Sequence, residues 1–194
     1  MSDPDDNQRD PFLDELSEDG AGVDALSAAL AGAAVEPPAS LRHRVLAGAT
    51  AEGRYERFVQ AACALLDLDA ATVRALFDRL DAPESWEPSP LPRIDLYHLP
   101  AGPAAQGAIT GLVRIPSGVD FPQHTHRGDE AVLVIQGSCV DGVTGAIARP
   151  GDVVRMPAGS SHSLRARQGP RLVYLAVVHT GVEIGGHAFG PESL

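Results

Sequence analysis

The spacing of apolar residues changes partway along the chain, from a helical period to short strand-like runs. An Ala/Leu-rich stretch runs from Ala25 to Val35, and Pro37–Pro38 stops it. Ser40 is placed to cap a second helix passing through Leu41, Val45 and Leu46. A third segment, Arg54 to Leu68, puts Phe58, Ala62 and Leu65 on one stripe, with Tyr55, Val59 and Leu66 beside it. A fourth, Ala70 to Leu80, spaces Val73, Leu76, Phe77 and Leu80 at the i, i+3, i+4, i+7 positions of an amphipathic helix, with Asp69 as its N-cap. Residues 23–81 are thus expected to form a helical region. Its apolar faces must be covered by one another, by the rest of the chain, or by a partner protein.

Residues 82–106 break this pattern. Pro83, Pro88, Pro90, Pro92, Pro100 and Pro103 rule out a helix and mark a linker, in which Arg93 to Leu99 alternates well enough for an edge strand. From Gly107 the chain turns to short apolar runs divided by Gly and Pro. Strands are expected near 108–115, 120–126, 130–136, 145–149, 152–156, 162–167, 171–179 and 182–187. Many short strands at close spacing predict a mainly β fold, a sandwich or small barrel, over residues 107–190.

Charge adds a fourth region. Residues 1–22 carry Asp3, Asp5, Asp6, Asp10, Asp14, Glu15, Glu18 and Asp19 against Arg9 alone, which is the composition of a disordered acidic tail. Phe12, Leu13 and Leu16 within it would suit a short partner-binding arm. The formal net charge of the whole chain is -11. Phosphate contacts need Lys and Arg, so this balance argues against nucleic acid and against an anionic membrane surface as partners. The sequence has no apolar run long enough to span a bilayer and no apolar leader at its acidic start, so a cytoplasmic location is expected. Cys63 and Cys139 lie far apart, and free thiols are expected rather than a disulfide.

The chemistry concentrates in two blocks. The first reads Gly118-Val-Asp-Phe-Pro-Gln-His124-Thr-His126-Arg-Gly-Asp-Glu130 and reaches Gly137; the second reads Gly151-Asp-Val-Val-Arg-Met-Pro157-Ala-Gly159-Ser-Ser-His162. In a strand, residues i and i+2 share a face, so His124 and His126 project together. Glu130 has the same parity and follows a turn at Arg127-Gly128-Asp129. His162 follows a Pro-Ala-Gly turn and opens another strand. The four side chains can then converge inside a barrel. Three imidazoles and a carboxylate suit a divalent transition metal such as Fe, Mn, Ni, Cu or Zn, with one or two coordination positions left open.

The two blocks resemble the paired motifs of the cupin superfamily. The first motif, G-x5-H-x-H-x3-E-x6-G, is matched at every fixed position. The second, G-x5-P-x-G-x2-H-x3-N, is matched at Gly151, Pro157, Gly159 and His162, with Ala166 in place of the final Asn. The resemblance covers about residues 100–187. It implies a double-stranded β-helix, the cupin jelly-roll barrel, with His124, His126, Glu130 and His162 as ligands of one divalent metal ion, zinc, iron or manganese above nickel or copper, and often a homodimer. The short gap from Ser138 to Pro150 and the wording around the ligands are similar to the cupin domain of ChrR-type anti-sigma factors, where a helical domain precedes a metal cupin. That resemblance implies a sensory or regulatory module responding to an oxidant or a small ligand, with a sigma factor or other protein held through residues 23–81. The anti-sigma domain of that family carries a zinc motif of the H-x3-C-x2-C type. Residues 1–81 hold only His43 and Cys63, so a zinc module of that type is absent. The superfamily equally hosts metal-dependent dioxygenases and related small-molecule enzymes, which is the alternative reading. Outside the ligand set, Cys139 is expected to be a small buried residue and His179 and His187 to be peripheral. Arg155, Arg165 and Arg167 should face solvent, and Met156 and Tyr174 should pack in the core or shape its cavity.

Overall fold

A computed structural model describes residues 53–191, together with Pro38, Ser40 and Leu41. The chain divides into two compact units, Met1–Leu46 and Ala47–Leu194, and the architecture below is that of the second. The acidic tail, the Ala25–Val35 helix and all but the first residues of the helix capped by Ser40 lie outside the described residues.

Two helices come first, α1 (Glu56–Leu66) and α2 (Ala70–Phe77). Asp69 caps α2 as its spacing predicts, its side chain accepting hydrogen bonds from the Ala71 and Thr72 amides. The helical run ends at Phe77 rather than Leu80. Twelve strands follow: β1 (Glu87–Pro88), β2 (Asp95–His98), β3 (Ala108–Ile115), β4 (Asp120–His126), β5 (Glu130–Gln136), β6 (Cys139–Asp141), β7 (Ile147–Ala148), β8 (Val153–Met156), β9 (Ser161–Ala166), β10 (Leu172–His179), β11 (Val182–Ile184) and β12 (His187–Phe189). They form two six-stranded sheets, ordered β1-β2-β3-β10-β5-β8 and β12-β11-β4-β9-β6-β7, with antiparallel pairing throughout. The mainly β jelly-roll expectation is met.

The differences from expectation are local. The segment 93–99 forms β2, yet β1 pairs outside it, so β2 is not the edge. Pro88, which lacks an N–H, sits in that outermost strand. The expected strand at 182–187 is a hairpin, because Gly185 and Gly186 both take positive φ and turn the chain between β11 and β12. The three-residue strand β6 follows Gly137 and Ser138 too closely to show an alternating run of its own.

The central strands of the first sheet, β5 and β10, are buried on both faces. Leu133, Ile135, Val173, Leu175 and Val177 point outward and pack under Phe58, Ala62, Leu66, Val73 and Phe77 of the two helices. Val132, Val134, Tyr174, Ala176 and Val178 point inward and meet Leu164 and Ala166 of the second sheet. This double burial explains why β5 and β10 read as unbroken apolar runs instead of alternating ones.

Candidate metal centre

The cluster is built on β4, the strand between β11 and β9. Its register sets His124 opposite His162 of β9 and opposite Ile184 of β11. The pairing shifts between Phe121 and His124, and Pro122 sits in this irregular stretch, where its missing N–H takes no ladder bond. Beyond the shift, His124 and His126 are both buried and Thr125 points the other way. The chain then leaves this sheet and enters the other one at Glu130. The crossing turn requires Gly128, since a Cβ there would collide with the His179 carbonyl and the Thr180 hydroxyl. Asp129 pins the turn from below, its carboxylate accepting from the Ala158 amide at 3.0 Å. The Pro157-Ala-Gly159 turn is tied in by Gly159 N–H to the His126 carbonyl and His126 N–H to the Ser160 carbonyl.

Together these elements bring His124, His126, Glu130 and His162 into one buried group whose ligand-type atoms all lie within 4.8 Å of one another. All four residues singled out by spacing are therefore neighbours in space. Each imidazole is held from behind. His124 Nδ1–H donates to the Pro122 carbonyl at 3.0 Å. Ser160 spends its own proton on the Pro157 carbonyl, so its oxygen accepts from His126 Nδ1–H at 2.9 Å. His162 Nδ1–H donates to the Asp141 carboxylate at 2.6 Å. With every Nδ1 protonated and engaged, the three Nε2 lone pairs are free to face the cluster.

The electrostatics suit a cation. Burial pushes the His124 pKa down, with the His162 and His126 rings acting in the same direction against the Pro122 carbonyl and Glu130, so this imidazole is neutral at pH 7. Burial alone would raise the Asp141 carboxyl. Hydrogen bonds from the Thr144 amide, His162, the Thr144 hydroxyl and the Val143 amide outweigh it and hold the group well below the usual carboxylate range. His126 Nε2 and Glu130 Oε2 touch, are fully buried, and have no hydrogen-bond partner among the described residues. Two buried acceptors brought together are costly unless a cation sits against both. A divalent ion fits that requirement and the three-imidazole, one-carboxylate donor set.

A cavity of about 370 Å³ adjoins the cluster between the sheets. Ile94, Ile109, Val113, Phe121, Leu164 and Val178 give it apolar walls, and His124, Glu130 and His162 form one end. Met156 and Tyr174 line it too. Burial, with the Glu130 carboxylate nearby, pushes the Tyr174 phenol well up, so it remains an O–H donor.

The remaining expectations resolve simply. Cys63 and Cys139 are free thiols, and Cys139 is buried. Arg155, Arg165 and Arg167 are exposed, as are His179 and His187. Ala166, which replaces the motif's Asn, is buried, and the turn beside it closes through Gly118 N–H to the Ala166 carbonyl and Ala166 N–H to the Val119 carbonyl. Sequence reasoning missed Asp141, Ser160 and the Pro122 carbonyl. Ser160 lies inside the second motif and Pro122 inside the first, so only Asp141 had no motif to flag it.

A jelly-roll barrel of this topology with a His3Glu cluster at its centre is a cupin. Residues 80–181, just over half of the chain, match the family described as the ChrR Cupin-like domain, and the chain belongs to that family. No curated protein matches it. Among solved structures, it is similar to an RmlC-like cupin protein from Ralstonia eutropha (23% identity, 57% of this chain and 75% of that one, TM-score 0.48). It is also similar to the Rhodobacter sphaeroides complex of SigE with the anti-sigma ChrR (24% identity, 87% and 82%, TM-score 0.48). A third is an acetylacetone dioxygenase from Acinetobacter johnsonii (16% identity, 58% and 83%, TM-score 0.47).

Proposed function

We propose that the chain is a cytoplasmic, ChrR-like sensory module, a metal-binding cupin whose barrel receives an oxidant or small ligand and passes its state to a protein partner. Membership of the ChrR cupin-like family carries this reading. His124, His126, Glu130 and His162 would hold one divalent ion, with zinc, iron and manganese best suited to the donors and nickel or copper also accommodated. Bound there, such an ion supplies Lewis acidity and an open position for an oxygen donor. The protein's own residues do the positioning. Pro122, Ser160 and Asp141 fix the ring tautomers. Among the described residues lining the cavity there is no Lys, no Arg and no carboxylate besides Glu130. Beside the cluster and the tyrosines, His98 and His187 are the cavity's other ionisable lining residues.

The partner is proposed to be a sigma factor or another protein engaging residues 23–81, with the cupin as a homodimer. The apolar stripes of α1 and α2 are spent on the barrel, so within the described residues a partner would meet their polar faces. The apolar cavity beside the cluster also favours a second reading, a metal-dependent dioxygenase acting on a small apolar molecule. Affinity capture with the full chain as bait, metal-loaded and metal-stripped, separates the two. The sensory reading expects a protein captured in one metal state and released in the other. Capture of nothing in either state, with oxygen uptake on an apolar substrate that His126→Ala abolishes, would overturn it in favour of the enzyme.

A further inference from the structure

A second cleft lies on the outward face of the first sheet and shares no lining residue with the cavity beside the cluster. Strand register builds its floor. Arg114 of β3 and Gln136 of β5 both pair with Val173 of β10, so the three side chains stand in one row across adjacent strands. The walls come from the segments that flank the helices and β10: Arg54 and Tyr55 just before α1, Asp81 after α2, and Arg171 just before β10. Trp86 closes one side, with the Arg114 guanidinium 4.3 Å from its ring centre. The space enclosed is about 370 Å³.

The three arginines are not equivalent. Arg54 is held by the Asp81 carboxylate at 2.9 Å and by the Gln136 side-chain oxygen at 2.7 Å. Arg114 is held by the Asp95 carboxylate at 2.8 Å. The Arg171 guanidinium has no hydrogen bond or ion pair to any described residue. Its backbone is nevertheless fixed, because the Gln136 side-chain amide donates to the Arg171 carbonyl at 3.2 Å. Its charge reaches the cleft: burial raises the Tyr55 phenol, and Arg171 is one of the charges that pull against that rise. Three arginines against Asp81 and Asp95 leave one positive charge over, in a chain whose formal net charge is -11. Since Arg54 and Arg114 are already held in place, a ligand here has one side chain to order, which keeps the entropic cost of binding low.

We propose that this cleft is a second small-molecule site, which takes a single carboxylate group carried on a compact apolar body. The Arg171 guanidinium offers paired N–H donors whose fork matches the two carboxylate oxygens. Leu80, Trp86 and Pro170 receive the body. One negative charge neutralises the surplus, whereas a dianion such as phosphate overshoots it. The proposal goes beyond the sensory reading and does not rest on it.

Trp86 is the chain's single tryptophan, so its fluorescence reports on this cleft. Full-length, metal-loaded protein at low salt should be titrated with cyclohexanecarboxylate, which does not absorb the exciting light. Cyclohexanecarboxamide serves as the neutral analogue and inorganic phosphate as the dianion. The carboxylate should change the emission saturably, with the amide and phosphate at least about tenfold weaker, the scale of one hydrogen bond to a charged group. Arg171→Gln should weaken the carboxylate by a similar factor, about tenfold or more, with an unchanged denaturation midpoint, because the guanidinium it removes has no protein partner. Metal-stripped protein should respond as the loaded protein does, since the first sheet separates the cleft from the cluster. No saturable change, an equal response in wild type and Arg171→Gln, or phosphate binding as tight as the carboxylate would each overturn the proposal. So would a response lost with the metal, which would put the carboxylate on the ion. A lowered midpoint in Arg171→Gln would overturn the claim that its guanidinium is unpaired. Tighter, Arg171-dependent binding of a blocked tetraglutamate peptide would assign the cleft to an acidic protein segment and overturn the small-molecule assignment.

Discussion

Each imidazole of the cluster is aimed by a partner that does not itself touch the cluster's centre. Among the three, Asp141 is the only charged one, and its 2.6 Å bond to His162 Nδ1 strengthens the ring as a donor through Nε2. Asp141→Asn keeps an oxygen for the Val143 and Thr144 amides that now bond Oδ1, so the turn should survive while the charge is lost. The expected result is metal affinity weaker by roughly 10–100-fold with a folded protein, measured by competition with a chromophoric chelator; unchanged affinity would remove Asp141 from the site. The four clustered residues were readable because two short motifs place them at strand parity. Asp141 was not, because its task depends on a partner 21 residues away. Its local signal, a side chain that closes its own turn through Val143 and Thr144, marks a turn and says nothing of a histidine.

The helices and the strands beneath them depend on one another. Leu66 and Val73 have no exposed surface, and Phe77 is 2% exposed, all against the outward face of β5 and β10. Leu66→Ala should therefore cost about 2–5 kcal/mol, read as a lower denaturation midpoint, while metal content stays normal because the cluster lies on the opposite side of the sheet. A loss much below that range would mean that α1 sits loosely on the barrel. The helical period over Arg54–Leu68 and Ala70–Leu80 announced these elements and their buried stripe, since 3.6-residue spacing is a local property. What the stripe covers was left open between three candidates and depends on tertiary packing. The same packing explains β10. Leu172 to Val178 reads as a continuous apolar run because helices lie on one face and the cavity on the other, which periodicity alone does not distinguish from a buried helix. Strands β1, β6 and β7, of two or three residues, are shorter than any period can reveal.

Across the whole molecule, the tyrosines report how tightly the described unit is closed. The chain has three. Burial, against the opposing pull of Arg54 and aided by Asp81, pushes Tyr55 up to about 12. Burial also raises Tyr97 and Tyr174. A phenol whose pKa is higher folded than unfolded contributes stability that is fully present below the unfolded value near 10 and is lost as pH rises from there toward the folded value. Near-ultraviolet titration of the folded protein should show no tyrosine ionising at its ordinary value, and the denaturation midpoint should fall as pH climbs past about 10. A normal tyrosine titration in folded protein would contradict the packing at all three positions. No helix among the described residues is long and apolar enough to cross a membrane.

The account turns on whether His124, His126, Glu130 and His162 hold a metal ion, and metal content measures that most directly. Full-length protein purified anaerobically, wild type beside His124→Ala, should be assayed by elemental analysis. The prediction is about one divalent ion per wild-type chain, as a single four-ligand site requires, and strong depletion in the variant. Wild-type protein free of metal after supplementation with zinc, iron and manganese, or an equal metal load in His124→Ala, would contradict it.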